Sequence, residues 1–538
     1  MSAITITDTG AVTDIAGELA IGIDVGGTNT DAVALSGTGE VVSWTKQPTT
    51  RDVTGGIRAA LTEILEQLGD DRRLVSRVML GTTHATNAIV NRRDLGRVVV
   101  IRLGSPAATS LPPLAGWPRE LREVILAGSI LAGGGHLVDG YPIAPLDTDL
   151  IRRELDALAG NFDAVAVCGI FSPSFPEQEL EVEALVQDHV GVDIPVSLSH
   201  EIGALGLLER ENATVLNAAL YAVARDVTNA LTTVVEEERL DATTYFAQND
   251  GTLMAVEYAA RYPVLTIGSG PANSIRGAAF LSGADNAIII DVGGTTSDLG
   301  VLVDRFPRES TLPREVGGVR TNFRMPDILS VGLGGGTIVD VASGVPRHDS
   351  VGYRLTEEAL LFGGTTPTLT DAASLEFGIA DRQLPPLDRA TRQALEQALR
   401  VAHDRIEAAV ERMSLGRTSL PLVVVGGGGF LVPDSVLGAS EVLRPARGNV
   451  ANAVGAAIAL AGGRSDQLCD FADRAAAIEE TGRSAIEKAI QAGADPRTVE
   501  IVDVLETPVS YATRPTLKVS VKAAGPLARI GASSRQAM

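Results

Sequence analysis

The sequence predicts an α/β protein assembled from two duplicated halves, and three observations carry that expectation. The first is a repeat: residues 21–33 read IGIDVGGTNTDAV, residues 288–300 read IIIDVGGTTSDLG, and the ungapped windows agree at eight of 13 positions. The second is the alternation between 147 and 200 of helix (DTDLIRRELDAL), strand (DAVAVCGI), helix (PEQELEVEALVQDH) and strand (DIPVSLS), the rhythm of βαβ units. The third is composition. Hydrophobic residues make up 45% of the chain but aromatics only 4%, which suits cores built on Val, Ile, Leu and Ala. A length of 538 residues allows roughly two to four domains.

Each copy of the repeat runs from an apolar β-branched segment to an acid, a Gly pair, hydroxyl residues and a second apolar segment. That is the pattern of strand, tight turn and strand. Glycines let backbone N–H groups approach a phosphate, and the hydroxyls can donate to its oxygens. An acid closing the first strand can hold a hydrated divalent cation, since Mg²⁺ keeps several waters. Either copy alone is explained by an ordinary Gly turn. Turn chemistry does not explain the same order of acid, glycines, hydroxyls and second acid twice. Two such hairpins facing each other would grip a nucleoside triphosphate.

The candidates follow from that reading. Gly26, Gly27, Thr28 and Asn29 are expected on one side of the phosphates, and Gly293, Gly294, Thr295 and Thr296 on the other. Asp24 and Asp291 are expected to hold Mg²⁺ through water. Asp31 and Asp298 are secondary candidates, with capping of the hairpin's own N–H groups an equal reading.

In chain order, residues 1–19 read as a flexible leader, with neither a basic start nor an apolar core to make a signal peptide. Residues 20–268 form the expected first half. It holds a helix over 54–69, and then RVMLGTTHATNAIVNRR (77–93), a strand ending in GTT before a Thr-capped helix. Thr82, Thr83 and Asn87 are candidates for contact with substrate or γ-phosphate, with helix capping as the rival role. A strand over 97–104 precedes an α/β insertion placed at 105–200. Residues 201–236 read as one long helix, 242–268 as further strands, and SGPANSIRGAAFL (269–281) as a helix with Pro271 near its first position.

The second half is placed at 269–463. After its hairpin come VGLGGGTIVDV (331–341), a Gly turn between apolar runs, and one long helix or a helical pair over 388–413. LPLVVVGGGGFLVP (420–433) is a buried strand breaking into Gly426, Gly427, Gly428 and Gly429, whose bare backbone would lie against adenosine. NVANAVGAAIALAGG (449–463) is a small-residue helix. Residues 464–538 read as an appended α/β piece, with a helix over 474–492 and strands at 498–505 and 515–523.

The net charge of −22 argues against nucleic acid as a partner, because such binding rests on Lys and Arg neutralising phosphates. Two cysteines, Cys168 and Cys469, make neither a disulfide framework nor a Cys-based zinc cluster and fit a reducing cytosol. No stretch reaches about 18 continuous apolar residues, so no membrane span is expected. The histidines His84, His136, His189, His200, His348 and His403 show no ligand spacing such as HExxH, although His84 beside GTT and His136 in GGGH are placed to face the cleft.

Two DVGGT hairpins followed by VVVGGGG resemble the actin, sugar kinase and Hsp70 superfamily, in which duplicated ribonuclease-H-like domains close over ATP and Mg²⁺. Within it the chain resembles the hydantoinase/oxoprolinase family, specifically its N-methylhydantoinase A type. The resemblance runs from about residue 20 to 525, over IGIDVGGTNTDAV, GTTHATNAIVNR, VSLSHEIGALGLLERENATVLNAAL, SGPANSIRGA, DVGGTTSDLGVL, DILSVGLGGGT and PTLTDAASLEFG. It is to the short form: Leu329 stands where longer members usually carry a His.

The resemblance implies an ATP-binding A subunit that phosphorylates the carbonyl oxygen of a cyclic amide such as a hydantoin, oxoproline or lactam. A separate B subunit would complete ring-opening hydrolysis. The alternatives are an ATP-dependent carboxylase subunit of the same family, a small-molecule kinase of the same superfamily, and, from a different class, a non-catalytic nucleotide switch. The chain lacks the Cys-rich zinc motif of one common kinase group, and no all-β region like that of Hsp70 follows residue 463.

Overall fold

The computed structural model describes residues 17–528 except 28, 50–52, 204, 305, 311–313, 323–324, 380–381, 417–419, 510–511 and 513. The expected leader therefore lies almost wholly outside the described residues, and so does the candidate Thr28.

Two mixed sheets repeat one local topology. Leu19–Val25 pairs antiparallel with Asn29–Ser36, which pairs with Val41–Pro48; on its other side Leu19–Val25 runs parallel to Val75–Thr82, reached through helix Val53–Leu68. In the second sheet Ala287–Val292 pairs antiparallel with Ser297–Val303 and parallel with Leu422–Val425, reached through helix Arg389–Ser414. Register is shared as well: Asp24 lies opposite Asp31, and Asp291 opposite Asp298. On the parallel side Asp24 meets Gly81 and Asp291 meets Val425. Thr82-Thr83 and Gly426-Gly427 therefore hold equivalent places, at the C-terminal end of the strand that runs parallel to the first of each hairpin. The strands Ala287–Val292 and Leu422–Val425 are near-continuous Ile, Val and Leu runs because both faces are covered.

The halves meet through two small-residue helices. Helix Ser269–Ser282 crosses helix Ala451–Ala457 so closely that a Cβ on Gly277 would collide with the Ala451 carbonyl, and one on Gly455 with the Asn273 carbonyl. Gly22 is needed for the same reason, under the Ala453 carbonyl. Glycine here admits backbone-on-backbone packing between helices and onto the first strand.

Several expectations meet differences. The strand Val98–Ser105, assigned to the first half, belongs to the inserted sheet, where it runs parallel to Leu126–Gly133 and Ala164–Gly169, with Val196–Leu198 beyond. The long helix after 201 is broken into Ser199–Ile202, Leu207–Ala219 and Tyr221–Glu237. The first long piece turns buried polar groups into the insertion: Glu211 holds Arg102 at 2.6 Å, and Asn212 accepts from Trp117 Nε1 at 2.7 Å. The last packs apolar residues against helix Val53–Leu68, a different direction. The small-residue helix ends at Ala457, and Ala461–Asp470 is strand.

That strand does not open a sheet of its own. Ala461 pairs parallel with Leu253, and Thr516–Gly525 and Glu500–Val509 add beyond it, so the segment after 463 extends the first sheet to nine strands. The apolar faces explain this. Ala461, Ala485, Ala489, Val519 and Val521 close over Met79, Tyr245 and Leu253, which would otherwise flank an open edge. The long helix 389–414 is a single helix, and Cys168 and Cys469 are free thiols.

Candidate functional site

The hairpin tips are closed alike. Gly26 N donates to Asn29 O at 3.0 Å, and Gly293 N to Thr296 O at 2.9 Å. Gly27, Thr295 and Thr296 are exposed at the tips, and a Cβ built on Gly27 meets no protein atom within 4 Å. Backbone packing does not require glycine there, so its bareness leaves room for something outside the chain. The first tip is tied by Thr49 Oγ1 donating to Gly26 O at 2.8 Å. The second is buttressed by the loop after 331: Gly335 N donates to Gly293 O at 3.0 Å and Gly336 N to Gly294 O at 2.7 Å. A Cβ on Gly334 would press 2.5 Å from Gly294 C and Thr295 N.

The acids behind the tips are poorly compensated. Asp24 is 4% exposed; its Oδ2 accepts from Asn452 Nδ2 at 3.3 Å, and its Oδ1 is buried with no hydrogen-bond partner. Burial, then the charge of Asp31, pushes its carboxyl up to about 7. Burial also raises Asp291, against the pull of neighbouring Ser274, Lys46 and Asn452. Asp298, beside Asp291, is pushed up to about 6 chiefly by burial, although Ser330 donates to it at 2.5 Å. Asp31 is raised by burial despite Lys46 Nζ at 2.7 and 2.6 Å from its two oxygens.

Nearby polar atoms also lack partners, among them both amide atoms of Asn273. A Cβ on Gly81 would stand 2.6 Å from both Asn273 Nδ2 and Asp24 Oδ1, so these orphaned atoms share one site. Buried carboxyls whose charge lacks compensating partners fit a cation carrying its own water. Among the described residues no three His, Cys, Asp or Glu side chains form a direct metal cluster.

The four glycines after Val425 divide by role. Gly426 has φ +85°, and a Cβ there would collide with Asp291 Oδ1 and Val292 O. Gly428 N donates to Val292 O at 2.7 Å, and Gly429 O accepts from Arg444 Nη1 at 2.9 Å. Only Gly427 stands open: its nearest neighbour is Lys46 Cε at 4.0 Å, from the other half. Lys46 Nζ also donates to Asn449 O at 3.2 Å, so this cation spans the junction of the halves.

The GTT segment also divides. Thr83 donates from N at 3.3 Å and from Oγ1 at 3.2 Å to Val25 O, which docks it on the hairpin, and exposed Asn87 donates to its Oγ1 at 3.2 Å. Thr83 occupies the N-terminal position of helix His84–Asn91 without a side-chain cap bond, so the capping reading does not apply to it. Thr82 is 4% exposed, lies 2.9 Å from His84 Nδ1, and lines an inner cavity with His84, Thr228 and Thr266. Burial lowers His84, so its ring is neutral near pH 7. His136 stacks on Phe175 at 5.2 Å, within the insertion.

Sequence reasoning missed Lys46, Asn452, Asn273 and Ser274. Lys46 had one local signal, its position directly opposite Asp31 in the strand pair. The other three lie on helices whose crossing no local pattern shows.

The family profile described as Hydantoinase/oxoprolinase N-terminal region matches residues 20–190, and the one described as Hydantoinase/oxoprolinase matches 210–463. The caprolactamase subunit alpha of Pseudomonas jessenii is 29% identical over 436 residues, covering 74% of this chain and 60% of that protein. The acetophenone carboxylase gamma subunit of Aromatoleum aromaticum is 26% identical over 387 residues, 65% of this chain and 52% of its own length. The chain thus spans between half and two thirds of these curated relatives. Among solved structures, the ATP-dependent caprolactamase from Pseudomonas jessenii aligns with TM-score 0.75 at 21% identity, covering 95% of this chain and 89% of that one. A nucleotide-free acetone carboxylase aligns with TM-score 0.66 at 18% identity, covering 94% and 88%. At these identities the likeness is one of fold.

Proposed function

Because the chain belongs to the hydantoinase/oxoprolinase family, we propose that it is the nucleotide-binding subunit of an ATP-dependent enzyme that activates a cyclic amide for ring opening. The observation that carries this reading is the matched pair of hairpins, with Asp24 and Asp291 in one register and Asp24 Oδ1 buried without a partner. A relative named caprolactamase supports an amide as the substrate class.

An amide resists water because its carbonyl is resonance-stabilised and its nitrogen leaves poorly. Transfer of a phosphoryl group to the carbonyl oxygen removes that resonance and leaves a carbon open to attack. Such transfer needs positioning and charge neutralisation more than covalent help from the protein. Gly26, Gly27, Thr28 and Asn29 would contact the phosphates from one side and Gly293, Gly294, Thr295 and Thr296 from the other. Gly427, the open glycine of Gly426 to Gly429, would face adenosine. Asp24 and Asp291 would hold Mg²⁺ through water, and the ion would offset the charge of the phosphates. Thr83 and Asn87 stand at the cleft where the substrate oxygen would approach, with Thr82 behind them. Asp31 and Asp298 would keep Lys46 and Ser330 in place, and Lys46 would supply a positive charge between the halves.

A B-type subunit would complete hydrolysis, a reading supported by relatives that are named as subunits. The alternative with a specific observation behind it is a carboxylase subunit, because carboxylase subunits are relatives at nearly the same identity. Both readings place phosphoryl transfer on this chain. The deciding experiment measures ADP release with hydantoins, lactams and oxoproline, and with ketones plus bicarbonate, with and without the partner. ADP release driven by a cyclic amide, with ring opening only once the partner is added, is expected. Stoichiometric ring opening by the chain alone would defeat the division of labour, and stimulation by ketones alone would favour the carboxylase reading.

A further inference from the structure

The contacts that close the two hairpin tips also fix the direction of their peptide planes. In a trans peptide the carbonyl and the following N–H point to opposite sides, so holding one aims the other. At the second tip Gly293 O accepts from Gly335 N at 3.0 Å, and Gly294 O accepts from Gly336 N at 2.7 Å and from Ser350 Oγ at 3.2 Å. Both carbonyls are turned to the loop after 331, so the N–H groups of Gly294 and Thr295 face away from it. Gly334 packs against the face of the peptide between them, where a Cβ would stand 2.5 Å from Gly294 C and Thr295 N. Neither N–H donates to an acceptor among the described residues, and Thr295 is exposed. Successive N–H groups turned the same way make a concavity that suits an anion.

The first tip reaches this orientation by another route. Its Gly26 carbonyl accepts from a side chain, Thr49 Oγ1, at 2.8 Å. Half-buried Thr49 directly follows strand Val41–Pro48. Its hydroxyl hydrogen goes to Gly26 O, so in the 3.3 Å contact with fully buried Thr30 Oγ1 it is Thr30 that donates. That second bond holds the Thr49 hydroxyl in place. The Gly27 N–H, opposite the Gly26 carbonyl, has no acceptor among the described residues, and a Cβ on Gly27 meets no protein atom within 4 Å. Three donors thus orient the second tip, whereas among the described residues one hydroxyl orients the first.

We propose that Thr49 is a positioning residue for phosphate binding, its hydroxyl holding the Gly26–Gly27 peptide so that the Gly27 N–H is aimed at the phosphate oxygens. The inference rests on the reading of the hairpins as a nucleotide clamp and adds the group that orients one arm of it. Without the hydroxyl the Gly26 carbonyl loses its partner, and a peptide flanked by two glycines is free to turn its N–H away.

The test titrates the purified full chain with ATP, ADP and adenosine by calorimetry in the presence of Mg²⁺. The wild type is expected to bind ATP and ADP more tightly than adenosine. Thr49→Val keeps the branched shape and removes the hydroxyl; it is expected to weaken ATP and ADP about tenfold, as the loss of one hydrogen bond to a charged group does, and to leave adenosine within about twofold. Thr49→Ser keeps the donor and should return ADP affinity to within about threefold of the wild type. Thr49→Ala serves under the same criterion should the valine variant not fold. A folded variant lacking the hydroxyl that binds ADP as the wild type does, an equal loss of ADP and adenosine, or no recovery in Thr49→Ser would each overturn the proposal and leave the nucleotide clamp standing. A wild type that binds ADP no more tightly than adenosine would overturn the clamp itself, and this proposal with it.

Discussion

Asp24 shows how one residue can oppose stability where it serves a ligand. The unfolded carboxyl titrates near 3.8 and the folded one near 7, so between those values the folded state holds a proton that the unfolded chain has released. Below pH 3.8 both states are protonated and no penalty exists. Above pH 7 the full penalty of burying the charge is present, on the order of 4 kcal/mol by the conversion of a pKa shift to free energy. Asp24→Asn is therefore expected to raise the melting temperature of the nucleotide-free protein at pH 8 and to leave it nearly unchanged at pH 4. The same variant, like Asp291→Asn, should lower ATP turnover by about 10² or more, as loss of one charge-stabilising group does. Near-wild-type turnover in both would remove these acids from the proposed cation site.

Gly426 and Gly427 make a second test at this scale, because neighbours of one residue type answer to different demands. Gly426→Ala should destabilise the fold by about 1–3 kcal/mol, since it combines a positive φ with a collision against Asp291 and Val292. Gly427→Val should leave thermal stability alone and weaken nucleotide binding about tenfold or more, because the space its side chain enters holds no protein atom nearer than Lys46 Cε. An unchanged nucleotide affinity in the folded valine variant would make the run a packing turn only.

Among the elements, the two crossing helices decide how the halves meet. Gly277 and Gly455 let backbones touch, and the same crossing brings Asn273, Ser274 and Asn452 to Asp24 and Asp291. Gly455→Ala should force the helices apart, at about 1–3 kcal/mol of stability as in other overpacked interiors, and should slow ATP turnover with no change to any residue of the hairpins. A fall in melting temperature without loss of turnover would show that the crossing serves only packing. The hairpins themselves are local objects, each closed by its own Gly N–H, and their strands, turn and register follow from about 15 consecutive residues.

In the whole molecule, the chain begins the first sheet, builds the second, and returns to finish the first. Truncation after residue 460 should therefore not release a trimmed but soluble two-domain core. It would bare Met79, Tyr245 and Leu253, which the removed alanines and valines cover, and the expected outcome is an aggregated product, read by size-exclusion chromatography. A monomeric truncated protein with normal ATP turnover would show that the last three strands are dispensable. No helix of the described residues is long and apolar enough to cross a membrane.

What the sequence determined by itself is what neighbours in the chain decide. The DVGGT repeats, the strand before GTT, the helix of 389–414 and the βαβ run of the insertion were legible because each rests on periodicity, a turn or a cap within a short window. The break at Leu220 was not, because it comes from two neighbouring packing partners that pull in different directions. Tertiary structure alone placed Asn452 on Asp24, 428 residues away, and put Lys46 between the halves. It also joined the strands after 460 to the first sheet and gathered His200, Arg261 and Lys488 around one cavity. The physical reason is common to all four. A sheet edge, a helix crossing and a cavity wall select partners by shape, unpaired hydrogen-bonding groups and charge, which remain unspecified until distant segments are brought together.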